Sequence, residues 1–313
     1  MKNNITSGYQ FFLFVSLIFL PACVHRRHID RQKLYINLSA ENAQITSPTP
    51  PSVTIWIHGT LMFYTPVYHQ IFNGKSSLMP ITTLPEKHHF RVLAETISEH
   101  DPEHFPMEEF YIFSWSGKLK QLEREQAAEK LLEEIIALRE EYQKKYGLAP
   151  TIRIIAHSHG GNVALNMAKI RPFNSSLLIK SLILLACPVQ EKTMHLISTP
   201  MFNRVYSLYS SFDIIQVLAP QFRRLRAPYE YNPKHRKYHY KFIPFSARLF
   251  PTYSHLTQTK IKINDYPISH TRFSTKEFTT LLPTILKKLD SWHDESLATN
   301  KMCKHKLLCI YKN

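Results

Sequence analysis

Residues 154–165 read IIAHSHGGNVAL, and Ser158 is the residue in them that could do chemistry. A serine hydroxyl is a weak nucleophile until a base takes its proton. It also has to stand clear of its surroundings. A strand that turns sharply into a helix presents it that way, provided the residues two before and two after are small. Here those positions are Ala156 and Gly160. The usual pattern has glycine at the first of them, so Ala156 departs from it by one methyl group. Residues 151–155 are apolar and β-branched, as a buried parallel strand should be. Val163, Ala164, Met167 and Ala168 then recur at helical spacing. The plain alternative is an ordinary strand–turn–helix with a polar corner.

Attack on an acyl carbon also needs donors for the oxyanion that forms. The helix after Ser158 offers one, because its first amides are unpaired and carry partial positive charge. The amide of His159 is the candidate. Residues 53–60, VTIWIHGT, form a second apolar strand ending in His58-Gly59. An earlier strand ending in such a turn can donate a second amide, and Thr60 is the candidate. The chain has seven glycines, and Gly59, Gly160 and Gly161 all fall in these two segments. That places scarce backbone freedom where this chemistry needs it. Read alone, the His58-Gly59 segment is equally a simple β-turn.

His58-Gly59-Thr60 followed by Ala156-His157-Ser158-His159-Gly160-Gly161 resembles the bacterial lipase and esterase branch of the α/β-hydrolase superfamily. The resemblance runs over roughly residues 53–290. It implies an α/β fold with a mostly parallel central sheet flanked by helices. It also implies a Ser, Asp or Glu, His set in that chain order, working without a cofactor.

The acid should follow one of the next strands. Residues 176–186 and 204–210 read as strands, and Asp213 comes directly after the second. Working loops of α/β sheets lie at carboxyl ends of strands, which favours Asp213. An aspartate there is also a good helix N-cap, and one residue could do both. Asp265 is the alternative acid, although it follows the last strand. For the base, His270 lies in a loop after the short alternating run 260–264. His255, before that run, is the rival. His157 and His159 are expected to line the pocket without moving protons. No metal-ligand spacing stands out among the cysteines and histidines.

Elements around these residues follow from pattern. Residues 110–115 read as a strand, and residues 123–146 as an amphipathic helix ended by Gly147 and Pro150. Between 219 and 259 periodicity breaks down and basic residues interleave with aromatic ones. Residues 220–259 are therefore expected to form a cap or insertion over the site, or else a long loop at the sheet edge.

The chain starts with Lys2, then an apolar run from Phe11 to Leu20, then Pro21-Ala22-Cys23. About ten apolar residues are too few to span a bilayer and suit a secretory signal. Leu20-Pro21-Ala22-Cys23 resembles the bacterial lipoprotein cleavage box, which implies export, cleavage before Cys23 and lipid on its sulfur. The alternatives are a simple cleaved signal or an uncleaved anchor. The expected layout is a signal at 1–22, a lipid-anchored linker at 23–52, a hydrolase domain at 53–292 and a tail at 293–313. Cys303 and Cys309 could pair or stay free, and Cys187 reads as a buried small hydrophobe.

Formal net charge is +15. An anionic membrane surface suits that charge and a lipid anchor together. A genome biased toward lysine is the alternative, and nucleic acid is not an expected partner of an exported chain. The function these residues imply is hydrolysis of carboxylic esters, lipid esters among them, by an acyl-enzyme route. Thioester or amide cleavage and acyl transfer would use the same residues. A silent lipoprotein that binds lipid or a protein partner is the non-enzymatic alternative.

Overall fold

The computed structural model describes residues 30–36, 51–60, 76–170, 177–221, 229–232, 237–240, 245–298 and 306–312. Cys23, Cys303 and the segment 1–22 lie outside these. The strands are β1 (Asp30–Ile36), β2 (Ser52–Ile57), β3 (Ser77–Pro80), β4 (Phe110–Ser114), β5 (Thr151–His157), β6 (Ile179–Leu185) and β7 (Phe202–Tyr209). They continue with β8 (Tyr229–Asn232), β9 (Lys237–Tyr240), β10 (Leu256–Ile263), β11 (Tyr266–Pro267) and β12 (Lys306–Lys312). The helices are α1 (His89–His100), α2 (Gln121–Tyr146), α3 (His159–Ile170), α4 (Ile214–Leu218), α5 (Lys276–Thr279) and α6 (Leu282–Ala298).

The fold is α/β. One sheet runs β3-β4-β2-β5-β6-β7-β10-β12-β1, with β11 paired to β10. From β4 through to β1 every neighbouring pair is parallel; β3 and β11 are antiparallel to their partners.

Successive side chains of a strand point to opposite faces, and here both faces are apolar. Ile55, Ile57, Ile154, Ala156, Leu182 and Leu184 share one core with Leu131 and Ile135 of α2 and Val163 of α3. Trp56, Ile155, Ile183 and Leu185 share the other with Leu93 of α1 and Ile285 and Leu289 of α6. The result is three layers with helices on both faces. Gly147 ends α2 in the left-handed region, φ 72°, as its position after the periodic run predicts.

The strand order reverses at β2 and β5. From β2 the chain moves to β3 and β4 on one side; from β5 it steps to β6, β7 and β10 on the other. The carboxyl ends of β2 and β5 therefore flank a crevice of the kind in which open α/β sheets bind ligands.

Three expected boundaries change. Residues 306–312, expected in a tail, form β12, held between β10 and β1. The segment expected as linker contributes β1. The run KLLCIYK lacks clean alternation because an interior strand is covered on both faces: Leu308, Cys309 and Ile310 are all buried. The last residues of the segment 220–259 belong to the sheet, because β10 begins at Leu256. Thr257, Gln258 and Thr259 are buried polar residues inside that strand, which hid it from a hydrophobicity pattern. Within 220–259, β8 and β9 make a separate antiparallel pair. Cys309 carries a free thiol.

Leu308→Ala is expected to lower unfolding free energy by about 2–5 kcal/mol, the usual cost of a cavity at a fully buried position. Urea denaturation reads this directly, and a shift near zero would mean that residues 306–312 are a peripheral tail.

Candidate active site

Ser158 leaves β5 with φ 54°, a backbone conformation rare for any residue but glycine. Its amide donates to the Leu185 carbonyl at 2.8 Å, and its carbonyl accepts from the Gly161 amide at 3.0 Å. The serine is thus held between the end of β6 and the first turn of α3. The neighbouring glycines serve space rather than unusual dihedrals, since positive φ among glycines occurs at Gly117 and Gly147. A Cβ on Gly59 would stand 2.8 Å from Ser158 Cβ, and one on Gly160 would stand 2.6 Å from the His58 carbonyl oxygen. The end of β2 therefore lies against the serine corner. Ala156 is fully buried beneath it.

His58 shapes that end of β2. Its Nε2 accepts from the Trp115 amide at 3.2 Å, so Nδ1 carries the proton and donates to the Gly59 carbonyl at 2.7 Å. Trp115 Nε1 donates in turn to the His58 carbonyl at 2.8 Å. Thr60 follows directly, and His159 opens α3, where the first amide has no intrahelical acceptor. Thr60 Oγ1 and His159 Nε2 are both buried without a hydrogen-bond partner.

The structure brings Ser158, His270 and Asp213 together. His270 Nδ1 lies 2.7 Å from Asp213 Oδ2, and His270 Nε2 lies 2.9 Å from Ser158 Oγ. A carboxylate can only accept, so Nδ1 holds the ring proton and Nε2 offers its lone pair to the serine hydroxyl. All three side chains are buried.

Asp213 sits at the end of β7 and also caps α4, its Oδ1 accepting from the Gln216 amide at 2.9 Å. Asp213 thus caps α4 through one oxygen and bonds the His270 ring through the other. Arg248 Nη2 donates to its carbonyl at 2.8 Å. His255 and Asp265 lie elsewhere. His255 precedes β10, at the amino end of the sheet, and bonds the Ile197 carbonyl at 2.7 Å. Asp265 accepts from the Tyr311 hydroxyl at 2.8 Å.

His157 does something the sequence reading missed. Its Nε2 donates to the His270 carbonyl at 3.1 Å, and the two rings lie 4.9 Å apart. Rather than lining an open pocket, it is packed away from solvent and tethers the histidine loop. Burial first, and the nearby His270 second, push its pKa down to about 3, so it stays neutral. His159 is also buried, and burial and then Arg124 push its pKa well below the usual histidine value. Arg124 itself is buried, donates to Leu119, Gln121 and Gln190, and is lowered to about 10 by desolvation. Among the described residues no cluster of His, Cys, Asp and Glu is arranged to hold a metal.

The chain matches no protein-family model and no curated protein.

A histidine buried neutral binds its proton less well folded than unfolded. Stability from His157 is complete above about pH 6.5 and falls as pH drops toward 3. Glutamine keeps a donor for the His270 carbonyl but does not titrate. His157→Gln should therefore flatten the dependence of unfolding free energy on pH in that window by up to about 1.4 kcal/mol per pH unit. Identical slopes in urea titrations of the two proteins would refute the buried, neutral state.

Proposed function

We propose that the protein is a serine hydrolase of the α/β-hydrolase type that cleaves carboxylic esters through an acyl-enzyme. The observation that carries this reading is the continuous hydrogen-bonded relay from Ser158 Oγ through the His270 ring to Asp213. The positive φ of Ser158, beside an end of β2 that tolerates no side chain at Gly59, supports it.

In this mechanism His270 Nε2 takes the Ser158 proton as Oγ attacks the ester carbonyl. The new oxyanion is stabilised by the amides of Thr60 and His159. Asp213 stays ionised, keeps the proton on Nδ1 and stabilises the imidazolium. The tetrahedral centre collapses, the alkoxy C–O bond breaks, and His270 gives the proton to the departing oxygen. Water then attacks the acyl-serine, losing its proton to His270. Collapse returns that proton to Ser158 Oγ and releases the acid. Thr60 Oγ1 and His159 Nε2 are buried without partners, on the two segments that supply the oxyanion amides.

The lipoprotein-type start, Leu20-Pro21-Ala22-Cys23, further supports an exported enzyme tethered at a membrane, with lipid esters as a substrate class within reach. No helix among the described residues is long and apolar enough to cross a membrane.

A fluorophosphonate probe is expected to label the wild-type protein and leave Ser158→Ala unlabelled. Persistent labelling of the alanine variant would move the nucleophile elsewhere. Asp213→Asn should lower kcat toward a short-chain ester by roughly 10⁴-fold, because the wrong tautomer of the base is then held. Gly59→Ala should cost roughly 10²-fold in kcat while the chain stays folded by circular dichroism, since the added methyl displaces the serine corner. Wild-type turnover in that variant would detach β2 from the reaction.

A further inference from the structure

Phe212, Ile214, Ile215 and Leu218 are large apolar side chains, and all four are exposed, from 40% at Leu218 to 62% at Phe212. They surround the catalytic acid of the proposed reaction: Asp213 lies inside the run and caps α4 with its buried carboxylate. In a helix, positions 214, 215 and 218 share one face. Phe245, also exposed, adjoins them, because Phe245 pairs with Pro220 and the Ser246 amide donates to the Val217 carbonyl at 3.0 Å. Four such side chains within seven residues, with Phe245 brought beside them by pairing, make an apolar patch rather than the scattered exposure that soluble proteins normally show. It lies at the carboxyl end of the sheet, the end that carries Ser158.

The chain that leaves this surface at Pro220 returns to it at Phe245. The 24 residues between carry seven Lys and Arg against one acidic residue, Glu230. An apolar face on a chain whose sequence between Pro220 and Phe245 is strongly basic is complementary to one kind of partner, a layer with an apolar interior and anionic headgroups. Nucleic acid would satisfy the cations but gives Phe212 and Ile214 nothing to enter.

We infer that α4 and its neighbours Phe212 and Phe245 form a docking face for an anionic phospholipid surface, which turns the Ser158 crevice toward the lipid. The face is independent of any anchor at Cys23. An anchor only keeps the protein near the membrane, whereas this face sets which side of the sheet meets it. The consequence for substrate rests on the proposed function: esters held in the lipid layer are presented to Ser158, while soluble esters reach it without docking.

Trp56, Trp115 and Trp292 are all buried, so a tryptophan placed at the surface reports alone on its surroundings. The full chain carrying Ser158→Ala and Phe212→Trp is mixed with vesicles of phosphatidylcholine, with and without phosphatidylglycerol, whose acyl chains are brominated. The expected result is a blue shift and strong quenching on the anionic vesicles, with several-fold weaker quenching on the neutral ones. Adding Ile214→Ser and Leu218→Ser should abolish most of it. Protein that sediments with anionic vesicles while the Phe212→Trp reporter stays unquenched is held only by its N-terminal segment, and overturns the docking face. So does tight binding of duplex DNA that is unchanged by Ile214→Ser and Leu218→Ser, with no quenching on vesicles. Quenching needs no catalysis. An inserted reporter in a chain whose wild type hydrolyses no ester would leave the docking face standing and remove the hydrolase reading. In an active wild-type background, Ile214→Ser with Leu218→Ser should lower hydrolysis of vesicle-borne ester about tenfold or more and leave a soluble short-chain ester unaffected.

Discussion

At the switch point of the sheet, the end of β2 and the corner between β5 and α3 occupy almost the same space. A Cβ at Gly59 would press on Ser158, and one at Gly160 would press on the carbonyls of Ile57 and His58. This close approach lets α3 start directly from β5 and forces the turn to be completed within one residue. Ser158 takes that turn at φ 54°, at a cost of about 1–3 kcal/mol. Such a conformation persists only where its surroundings over-determine it. Here the Leu185 carbonyl holds the serine amide and the Gly161 amide holds its carbonyl. The strain and the placing of the hydroxyl at the corner have the same cause.

The relay depends on that corner and on the parallel order of the sheet. Ser158, Asp213 and His270 are separated by more than fifty residues at each step, yet each follows the carboxyl end of a parallel strand, β5, β7 or β10. Parallel order therefore delivers all three to one edge. Fine positioning comes from bonds to backbone. Asp213 is fixed by the Gln216 amide and by Arg248 on its carbonyl, and the His270 loop is tied down through His157. Because His157 and His159 are neutral in their buried settings, a proton taken up by His270 in the proposed reaction would face the Asp213 carboxylate without competing positive charge from these rings. Burial of the relay strengthens that attraction relative to water.

Much of this was legible in the sequence for a simple reason. Apolar, β-branched runs mark buried parallel strands and their carboxyl ends, which locates the corner at Ser158 and the turn at Gly59; Asp213 and His270 are singled out by combining strand ends with the chain order that the resemblance implies. What stayed hidden is what local pattern does not encode. The strand containing Thr257, Gln258 and Thr259 carries buried polar side chains: Gln258 bonds both backbone groups of Phe250, whereas the hydroxyls of Thr257 and Thr259 are buried without a partner. β1 and β12 depend on a pairing between the two ends of the chain, which no window of sequence contains. His157 looked like pocket lining because its hydrogen bond spans 113 residues. In the sequence, Gly59, Gly160 and Gly161 read partly as sources of backbone freedom; the structure uses them for space between elements, not for positive φ.

The two ends of the sheet differ in a way that bears on where chemistry can occur. Arg153, Ser181 and Arg204 form one row across β5, β6 and β7 near their amino ends and line a cavity of about 400 Å³. Its charges are largely engaged with one another. Arg204 meets Asp290 and Asp294, Lys287 meets Asp101, and Arg153 stacks on Phe105 while donating to the His104 carbonyl. Groups satisfied in this way have little to gain from a ligand, which would have to break those pairs before making its own. At the carboxyl end the situation is reversed. Thr60 Oγ1 and His159 Nε2 are desolvated and unbonded beside a strained serine, so an incoming carbonyl displaces no existing partner there. On the proposed function, binding at the carboxyl end adds hydrogen bonds without first breaking ion pairs such as Arg204–Asp290, and this favours the Ser158 edge over the amino-end cavity as the place of reaction.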